Sequence, residues 1–309
     1  MMAFLDLVTP RDPAFRQAAM AIWNEREDLR RAFAEPASAG FARWLLVHGP
    51  LEHADRLGRW FPPLPPHGLR QTACGGTDPG EHYRTGLDDA EAIHDLALTF
   101  LDRPLDSGVR VLDFGCACGR LARWLPHALP GAQVAGCDVR QAAVEWCAEH
   151  LSGEFRTNGI EPPLPFADHS FDLVVSLSVF THLSRSSNER WIRELVRVTK
   201  PDGRLLLSML GTFSLFVIQR MEANQRFFEM SAERARTYER RLANEHWLHH
   251  PMTPATIEAM DGVESEYGQV FNDETFVRTA WAPYVEVLGV VPAGQGLFQD
   301  FYALRPRVR

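Results

Sequence analysis

The decapeptide VLDFGCACGR, from Val111 to Arg120, places a carboxylate at the end of an apolar strand and follows it at once with a turn of small residues. The run around Val109 and Leu112 has the apolar character of a buried strand, and residues 121–129 carry apolar side chains at helical spacing. The order is therefore strand, tight turn, helix. Such a turn lets a ligand lie against main-chain N–H groups at the positive end of a helix.

A second carboxylate follows this turn. Residues 133–138, QVAGCD, have the pattern of another short apolar strand, which ends at Asp138, nineteen positions after Gly119. An acid at about this distance from a glycine-rich turn accepts hydrogen bonds from ribose hydroxyls. The two features together predict a site for a nucleotide-type cofactor.

The turn departs from the dinucleotide fingerprint G-x-G-x-x-G, because position 117 is alanine and Gly119 comes one residue early. It matches D-x-G-x-x-x-G instead, starting at Asp113. A carboxylate there would repel a pyrophosphate, but it can hold an ammonium group or anchor the turn by hydrogen bonds. The ligand should therefore carry an amine and a ribose and lack a pyrophosphate, and S-adenosylmethionine fits this description.

Residues 106–210 resemble the cofactor-binding core of class I S-adenosylmethionine-dependent methyltransferases of the small-molecule type. The segments that carry the resemblance are VLDFGCACGR at 111–120, GCDVR at 136–140, PPLPFADHSFDLVVSLSVFTHL at 162–183 and WIRELVRVTKPDGRLLLSMLG at 191–211. The proline-aromatic turn at 164–166, combined with the turn at 200–203, is highly specific. The family usually has glycine where this chain has Ala117, and the added methyl group narrows the turn.

The resemblance implies a cofactor site at the carboxyl ends of the strands, and the segment just before the first core helix adds two candidates, Tyr83 and Arg84, to that site. The residues are Tyr83, Arg84, Asp113, Gly115, Cys116, Ala117, Gly119, Asp138, Val139, Asn158, Gly159, Ser176 and Ser178. The 113–119 turn would line the methionine part, Asp138 would bind the ribose, and residues 158–159 would contact adenine. Tyr83 and Arg84 would close over the cofactor, with Arg84 meeting the methionine carboxylate. The alternative for these two residues is a surface pair.

The composition sets bounds on location and partner. With 309 residues, of which 45% are hydrophobic and 23% charged, the chain is typical of soluble globular proteins. No apolar run reaches the ~18 residues of a membrane span, and the start lacks the pattern of a secretion signal, so we expect a cytoplasmic protein. A net charge of -8 argues against a nucleic-acid partner. We expect a small-molecule substrate, and a homodimer is left open.

The five cysteines lack the paired spacing of a disulfide framework or a zinc site. Cys116 and Cys118 lie two positions apart inside the cofactor turn, where a metal or redox role is the alternative to simple packing. Free cysteine commonly behaves as a small apolar residue. We therefore expect packing around the ligand and no metal.

The fold class predicted is α/β, with a seven-stranded, mostly parallel Rossmann-like sheet, helices on both faces and an antiparallel last strand. Four regions follow along the chain: an N-terminal helical cap and linker at 1–80, an S-adenosylmethionine-binding core at 81–211, a helical lid at 212–270, and C-terminal strands at 271–309. Within them we predict helices at 13–61, 88–101 and 215–247, a linker at 61–80, and a final hairpin of strands at 284–291 and 297–304.

A general base is needed if the acceptor is a hydroxyl, because its proton must be removed. His182, just beyond the fourth strand, is the first candidate, and a structural histidine that caps the loop is the alternative. His249 and His250 form the second candidate group and would share one helical face with His246 if the helix continued that far. That face could bind a metal, but Pro251 is expected to end the helix, and a metal would want a carboxylate or a cysteine nearby.

These features predict a methyltransferase that acts on a small molecule. The segment SVFTHL, at 178–183, resembles methyltransferases of surface-glycan clusters, and this resemblance makes a hydroxyl of a sugar or glycan precursor the expected acceptor. The acceptor would lie between the N-terminal helices and the 212–270 region. An N- or C-methyltransferase of secondary metabolism and a non-catalytic methyltransferase-like scaffold are the alternatives, although a scaffold has no need of a ribose acceptor such as Asp138. The phenylalanines at 213, 216, 227 and 228 could line an apolar substrate, but we expect them to pack the core of the lid.

Overall fold

The computed structural model describes residues 4–74, 78–105, 108–253 and 267–307. Its N-terminal part consists of short helices: α1 (Phe4–Val8), α2 (Pro13–Glu25), α3 (Glu27–Ala32), α4 (Ala39–Val47), α5 (Gly49–Glu52), α6 (Ala54–Leu57) and α7 (His67–Cys74). Asp12 and Ser38 cap α2 and α4 by accepting hydrogen bonds from the first-turn N–H groups. The helical prediction for residues 13–61 is confirmed. The predicted linker was only partly right, because it contains α7, and its residues 75–77 lie outside the described part.

Helix α8 (Pro79–Phe100) connects this region to the sheet. It starts at Pro79, well before the predicted start at Asp88, because Asp78 accepts a hydrogen bond from the N–H of Glu81 and Pro79 suits the first helical position. Its buried face carries Leu87, Ile93 and other apolar residues that pack on the sheet.

The main sheet contains seven of the described strands. They are β1 (Arg110–Phe114), β2 (Gln133–Asp138), β3 (Glu154–Thr157), β4 (Phe171–Ser176), β5 (Thr199–Met209), β8 (Val285–Gln295) and β9 (Gln299–Pro306). Their order is β3-β2-β1-β4-β5-β9-β8. The first five are parallel, whereas β9 runs antiparallel to both neighbours. The predicted fold class and the final hairpin are confirmed.

Helices α9 (Leu125–Ala128), α10 (Gln141–His150) and α11 (Arg185–Val198) connect the parallel strands. The helix predicted directly after the cofactor turn is shorter than expected, because residues 116–124 run through successive turns before α9 begins. Pro126 lies in the first turn of α9, where proline is tolerated. The cofactor turn is therefore followed by turns and not by a long helix.

The two faces of the sheet pack into separate cores. Val111 of β1 belongs to the cluster that contains α8, whereas Leu112 and Phe114 belong to the cluster on the other face. Since side chains alternate along a strand, Asp113 falls on the face of α8. The same alternation places Gln299 of β9 on that face, next to Phe301, which packs in the α8 cluster.

The region after β5 is a mixed insertion. It contains α12 (Thr212–Ile218), α13 (Glu222–Phe227), α14 (Ala232–Glu245), β6 (Trp247–Pro251), β7 (Gly268–Asn272) and α15 (Glu274–Ala280). The prediction of one long helix over 215–247 was wrong: Ser231 caps a new helix, and His246 ends it in a left-handed conformation with φ 60°. Residues 254–266 of the predicted lid lie outside the described residues.

Among the described residues, no helix has both the length and the apolar character that a membrane span requires.

Candidate functional site

The cofactor turn, residues 113–120, is anchored to the neighbouring strand by its main chain. The N–H groups of Gly115 and Cys116 both donate to the carbonyl oxygen of Cys137, at 2.8 and 3.0 Å. Asp113, at the end of β1, is buried with 3% of its surface exposed. The turn therefore starts from a carboxylate fixed at the end of β1.

The glycines of the turn are required by backbone conformation and by packing. Gly115 and Gly119 have φ values of 79° and 77°, in the region that disfavours other residues. A Cβ at Gly115 would overlap Val179, and a Cβ at Gly119 would overlap Leu151. Ala117 adopts φ 49° in the same turn, so the departure from glycine places an alanine in left-handed backbone.

Asp138, at the end of β2, is bonded to the turn. Its Oδ2 accepts from the N–H of Ala117 at 2.9 Å, and its Oδ1 accepts from the N–H of Arg140 at 2.9 Å. A carboxylate offers about four acceptor positions, so ligand hydroxyls can be accepted beside two main-chain groups. Val139, between Asp138 and Arg140, is half-buried beside this carboxylate.

Asn158 and Gly159 follow β3 directly, as predicted. The Asn158 N–H donates to the carbonyl oxygen of Asp138 at 3.1 Å, and its side-chain Nδ2 donates to the carbonyl oxygen of Gly159 at 2.7 Å. The Oδ1 of Asn158 is buried and has no hydrogen-bond partner among the described residues. A buried acceptor without a partner is costly, so this oxygen suits a donor group on a bound ligand such as an amino group.

Ser176 and Ser178 differ in their surroundings. Ser176, the last residue of β4, is fully buried, and strand alternation places its side chain with Val174 on the face away from α8. Ser178 lies two residues beyond the strand, with φ 59°, and is half-buried. Of these two predicted residues, only Ser178 presents its hydroxyl near the α8 face.

Tyr83 and Arg84 lie on α8. Tyr83 is buried and donates from its hydroxyl to the carbonyl oxygen of Pro62 at 3.2 Å, and burial raises its pKa. Arg84 is exposed and pairs with Asp88 of its own helix at 3.0 Å. Closure of these two residues over a cofactor therefore stays a prediction.

Helix α8 contacts the cofactor turn through Gly86 and Asp89. A Cβ at Gly86 would overlap the carbonyl oxygen of Arg120. Asp89 is 2% exposed, forms an ion pair with Arg120, and accepts from Nε2 of Gln295 at 3.0 Å. No motif in the sequence pointed to Asp89, because one of its two partners, Gln295, lies more than two hundred positions away along the chain.

His182 lies beside β7. Its Nδ1 is 2.9 Å from the carbonyl oxygen of Gly268, and its ring stacks on Tyr267 with centroids 4.6 Å apart. With the carbonyl as acceptor, Nδ1 carries the proton and Nε2 keeps its lone pair. Burial is the main cause that lowers the pKa of His182 to about 4, and the nearby Arg140 adds to it. The imidazole is therefore neutral at ordinary pH.

Strand β7 lies across the ends of β4 and β5. The N–H of Val270 donates to the carbonyl oxygen of Thr181 at 2.6 Å, and that of Asn272 donates to the carbonyl oxygen of Leu210 at 2.9 Å. Both acceptors belong to segments that follow the parallel strands. The insertion thus covers the edge of the sheet at which the predicted ligand-binding residues lie.

The expectation that His246, His249 and His250 share a helical face was wrong. Residues 247–251 form β6, so His249 and His250 point to opposite faces of a strand. His250 is 2% exposed and lies 3.4 Å from the hydroxyl of Tyr238 in the core of the insertion. His246 is instead bonded through Nδ1 to Oδ2 of Asp273 at 2.8 Å.

The cysteines near the turn pack as predicted. The free cysteines Cys116, Cys118, Cys137 and Cys147 are all buried. Cys147 lies with its Sγ 3.6 Å from the carbonyl oxygen of Ala117. The neighbouring Cys147 and burial raise the pKa of the Cys116 thiol, which keeps it protonated.

Comparison with known proteins gives the context of this site. Residues 112–207 match a family model described as a methyltransferase domain. The phthiotriol/phenolphthiotriol dimycocerosates methyltransferase 1 of Mycobacterium ulcerans is 35% identical over 109 residues, which are 34% of this chain and 38% of that protein. The malonyl-[acyl-carrier protein] O-methyltransferase of Methylococcus capsulatus is 32% identical over 109 residues, 34% of this chain and 39% of that protein.

Among solved structures, the magnesium protoporphyrin IX methyltransferase of Synechocystis with bound SAH aligns with a TM-score of 0.47 and 16% identity, covering 91% of this chain and 100% of that one. The match covers less than two fifths of the length of each of the two curated relatives named above.

Proposed function

Because residues 112–207 match a methyltransferase domain, we propose that this chain transfers a methyl group from S-adenosylmethionine to an oxygen of a small molecule. The observation that carries the proposal is the pair of carboxylates Asp113 and Asp138 at the ends of neighbouring strands, joined by the cofactor turn. The pair supplies one acidic group for an ammonium and one for ribose hydroxyls.

S-adenosylmethionine, when bound, supplies an electrophilic methyl group on a sulfonium. The residues of the site fit such a ligand, because two carboxylates and the buried Oδ1 of Asn158 are acceptors for an ammonium, a ribose and an amino group. We assign Asp113 to the ammonium, Asp138 to the ribose and Asn158 to the base. Orientation of the acceptor by such a site is worth about 7–11 kcal/mol of the reaction barrier.

His182 is the residue that we propose as the general base. Its Nδ1 is held by the carbonyl oxygen of Gly268, which leaves Nε2 as the proton acceptor. A pKa of about 4 keeps it unprotonated but also makes it a weak base. This combination suits an acceptor hydroxyl whose proton leaves late in the transfer. The buried position of His250 makes it a poorer choice, and His249 is the reserve candidate.

For the acceptor, we propose a hydroxyl of a sugar or glycan precursor, held between the N-terminal helices and the 212–270 region. The core at 81–211 with the strands at 271–309 would then bind the cofactor, and the other two regions would shape the substrate site. A net charge of -8 supports a small molecule over a nucleic acid as the partner.

An apolar acceptor, such as a lipid or a polyketide, is the second candidate. We expected the four phenylalanines of the lid to pack in the core of the lid, and this was wrong for three of them. Phe213, Phe216 and Phe227 are 38%, 41% and 62% exposed, whereas Phe228 is buried. Phe213 and Phe216 stack with centroids 5.8 Å apart on α12, which begins three residues after the end of β5. Exposed apolar groups close to a site favour a ligand of matching character.

The test is methyl transfer from S-adenosylmethionine labelled in its methyl group. The purified chain is incubated with a panel of nucleotide sugars and simple glycosides and with a panel of hydroxylated acyl and polyketide compounds, and labelled products are identified by mass spectrometry. Label in a sugar methoxy group supports the first acceptor class, and label in the apolar panel supports the second. An N- or C-methylated product would contradict the oxygen acceptor. The Asp138→Ala variant is the control for transfer that depends on the cofactor site.

A further inference from the structure

A closed ring of hydrogen bonds joins three residues beside the cofactor turn. The N–H of Ser178 donates to Oγ of Ser208 at 2.9 Å, the hydroxyl of Ser208 donates to Oε1 of Gln299 at 2.8 Å, and Nε2 of Gln299 donates to Oγ of Ser178 at 2.7 Å. Ser208 is fully buried and Gln299 is 9% exposed. The three residues come from the ends of β4, β5 and β9, which the chain separates by up to 121 positions.

The ring determines where the hydroxyl hydrogen of Ser178 points. Its oxygen accepts from the amide of Gln299, and a carboxamide nitrogen is a donor only, so the hydrogen must be directed away from Gln299. Within the ring, the contact between Ser178 and Ser208 is made by the main-chain N–H of Ser178 and not by its hydroxyl. No acceptor for this hydrogen is found among the described residues, and Ser178 is half-buried. The hydroxyl is thus an oriented donor.

Ser178 is next to the cofactor turn. The following residue, Val179, fills the space beside Gly115 where a Cβ would lie. The left-handed backbone of Ser178, at φ 59°, is also held by the hydroxyl of Thr181, which donates to its carbonyl oxygen at 2.8 Å. The backbone of Ser178 is therefore held close to the cofactor turn.

We infer that Gln299 is a positioning residue that orients the Ser178 hydroxyl as a donor to the carboxylate of the methionine part of the cofactor. The inference rests on the proposed function, since it presupposes that this cofactor occupies the turn. A carboxylate is the acceptor that suits this donor. Asp113 and Asp138 are assigned to the ammonium and the ribose, and Arg84, the donor predicted for the carboxylate, is exposed and pairs with Asp88. Gln299 acts on the ligand only through Ser178.

The carboxamide of Gln299 allows a substitution that changes the direction of the Ser178 hydroxyl and keeps the size of the side chain. In Gln299→Glu, the two side-chain oxygens are acceptors, so the Ser178 hydroxyl would turn to donate to Glu and would no longer face the ligand. The ring keeps the same number of bonds and the side chain keeps its shape. Gln299→Met is the second variant, since its side chain has nearly the same length and cannot hold Ser178 at all.

The experiment is calorimetric titration of the full chain with two ligands, S-adenosylhomocysteine and 5′-methylthioadenosine, which lacks the amino-acid carboxylate. The proteins are the wild type, Ser178→Ala, Gln299→Glu, Gln299→Met and the double variant Ser178→Ala/Gln299→Glu. Loss of a hydrogen bond to a charged group predicts a weakening of about 10-fold or more for S-adenosylhomocysteine. Affinity for 5′-methylthioadenosine should change by less than about 2-fold, and the double variant should be no weaker than Ser178→Ala.

The comparison of the two ligands separates orientation from folding, because a misfolded site would weaken both. Unchanged S-adenosylhomocysteine affinity in Gln299→Glu, equal weakening of both ligands, or additive losses in the double variant would each overturn the inference while leaving the proposed function in place. A wild type that binds neither ligand would instead overturn both.

Discussion

The main-chain N–H of Ala117 donates a 2.9 Å hydrogen bond to Oδ2 of Asp138, so the cofactor turn and the carboxylate predicted to bind ribose are one structural unit. The other oxygen of Asp138 is bonded to the N–H of Arg140. A change in either the turn or the acid should therefore affect the other, and the substitutions below exploit this dependence.

Ala117→Gly should stabilise the protein. Ala117 has φ 49°, and a left-handed conformation costs a non-glycine residue about 1–2 kcal/mol. The greater freedom of glycine in the unfolded chain offsets part of this gain, by about 0.4–1 kcal/mol. We expect the free energy of unfolding to rise by about 0.5–1 kcal/mol in urea denaturation.

The matched control for that substitution is Ala223→Gly, at an exposed position in the first turn of α13. It should lower the free energy of unfolding by up to about 1 kcal/mol. The same chemical change would thus have opposite signs at the two sites. A loss of stability in both variants would show that Ala117 is not strained.

Gly86→Ala should destabilise the protein and weaken cofactor binding together. A Cβ at Gly86 would overlap the carbonyl oxygen of Arg120, a main-chain atom that cannot rotate away. Overpacking of this kind costs about 1–3 kcal/mol, and α8 must shift against the cofactor turn. Thermal unfolding and S-adenosylhomocysteine titration measure the two effects.

Gly58→Ala is the control for Gly86→Ala, because a Cβ there would have no atom within 4 Å. It should change neither the unfolding temperature nor the ligand affinity beyond error. Should Gly86→Ala behave like this control, the close contact between α8 and the turn would be disproved.

His182 should make stability depend on pH in acid. Burial lowers its pKa from 6.5 to about 4, so the folded state favours the neutral imidazole. The stability from this preference is fully present above pH 6.5 and is lost as the pH falls through 4, because the unfolded chain takes up the proton first. The unfolding temperature of His182→Asn should therefore fall less steeply than that of the wild type between these two values.

The same pKa bears on activity. If His182 is the base, the acid limb of kcat/KM should lie near pH 4 and not near 6.5, and His182→Asn should reduce turnover by about 100-fold at unchanged cofactor affinity. His67→Asn, at an exposed residue of α7, is the control substitution. A loss of activity smaller than about 3-fold would show that His182 is not the base and has only a structural role, through its contact with Gly268.

Phe213→Ser and Phe216→Ser address the acceptor. Both side chains are exposed, at 38% and 41%, so each substitution should change the free energy of unfolding by less than about 0.5 kcal/mol. With an apolar acceptor, KM should rise several-fold while cofactor affinity stays constant. Leu98→Ser, at a 43% exposed residue of α8, is the control for removal of exposed apolar surface. An unchanged KM in both phenylalanine variants would favour the sugar acceptor.

The elements that local patterns specify were predictable. The apolar run before Asp113, the turn after it and the paired strands at the C-terminus each carry their signal within a few neighbouring residues, and the sheet confirmed them. The end of α14 was not predictable, because His246 adopts a left-handed conformation that favours glycine or asparagine. Strand β6 followed from this break and separated His249 from His250.

The polar contacts around the turn were the least accessible to sequence reasoning. Asp89 pairs with Arg120 and Gln295, and Ser208 joins Ser178 to Gln299, in each case through residues that only the fold brings together. No spacing along the chain reports such partners. The proposed cofactor was inferred from Asp113 and Asp138, whose positions the sequence shows, whereas the side-chain contacts that hold the turn were not predictable.

Titration of the wild type and of Asp138→Ala with S-adenosylhomocysteine decides whether this chain has the proposed cofactor site. Removal of the carboxylate takes the acceptor from the N–H groups of Ala117 and Arg140 and from the ribose. We predict binding of one ligand per chain and a weakening of at least about 10-fold in Asp138→Ala, with Asp55→Ala, on α6, unchanged. Absence of binding to the wild type, or equal affinity in Asp138→Ala, would contradict the assignment of the site.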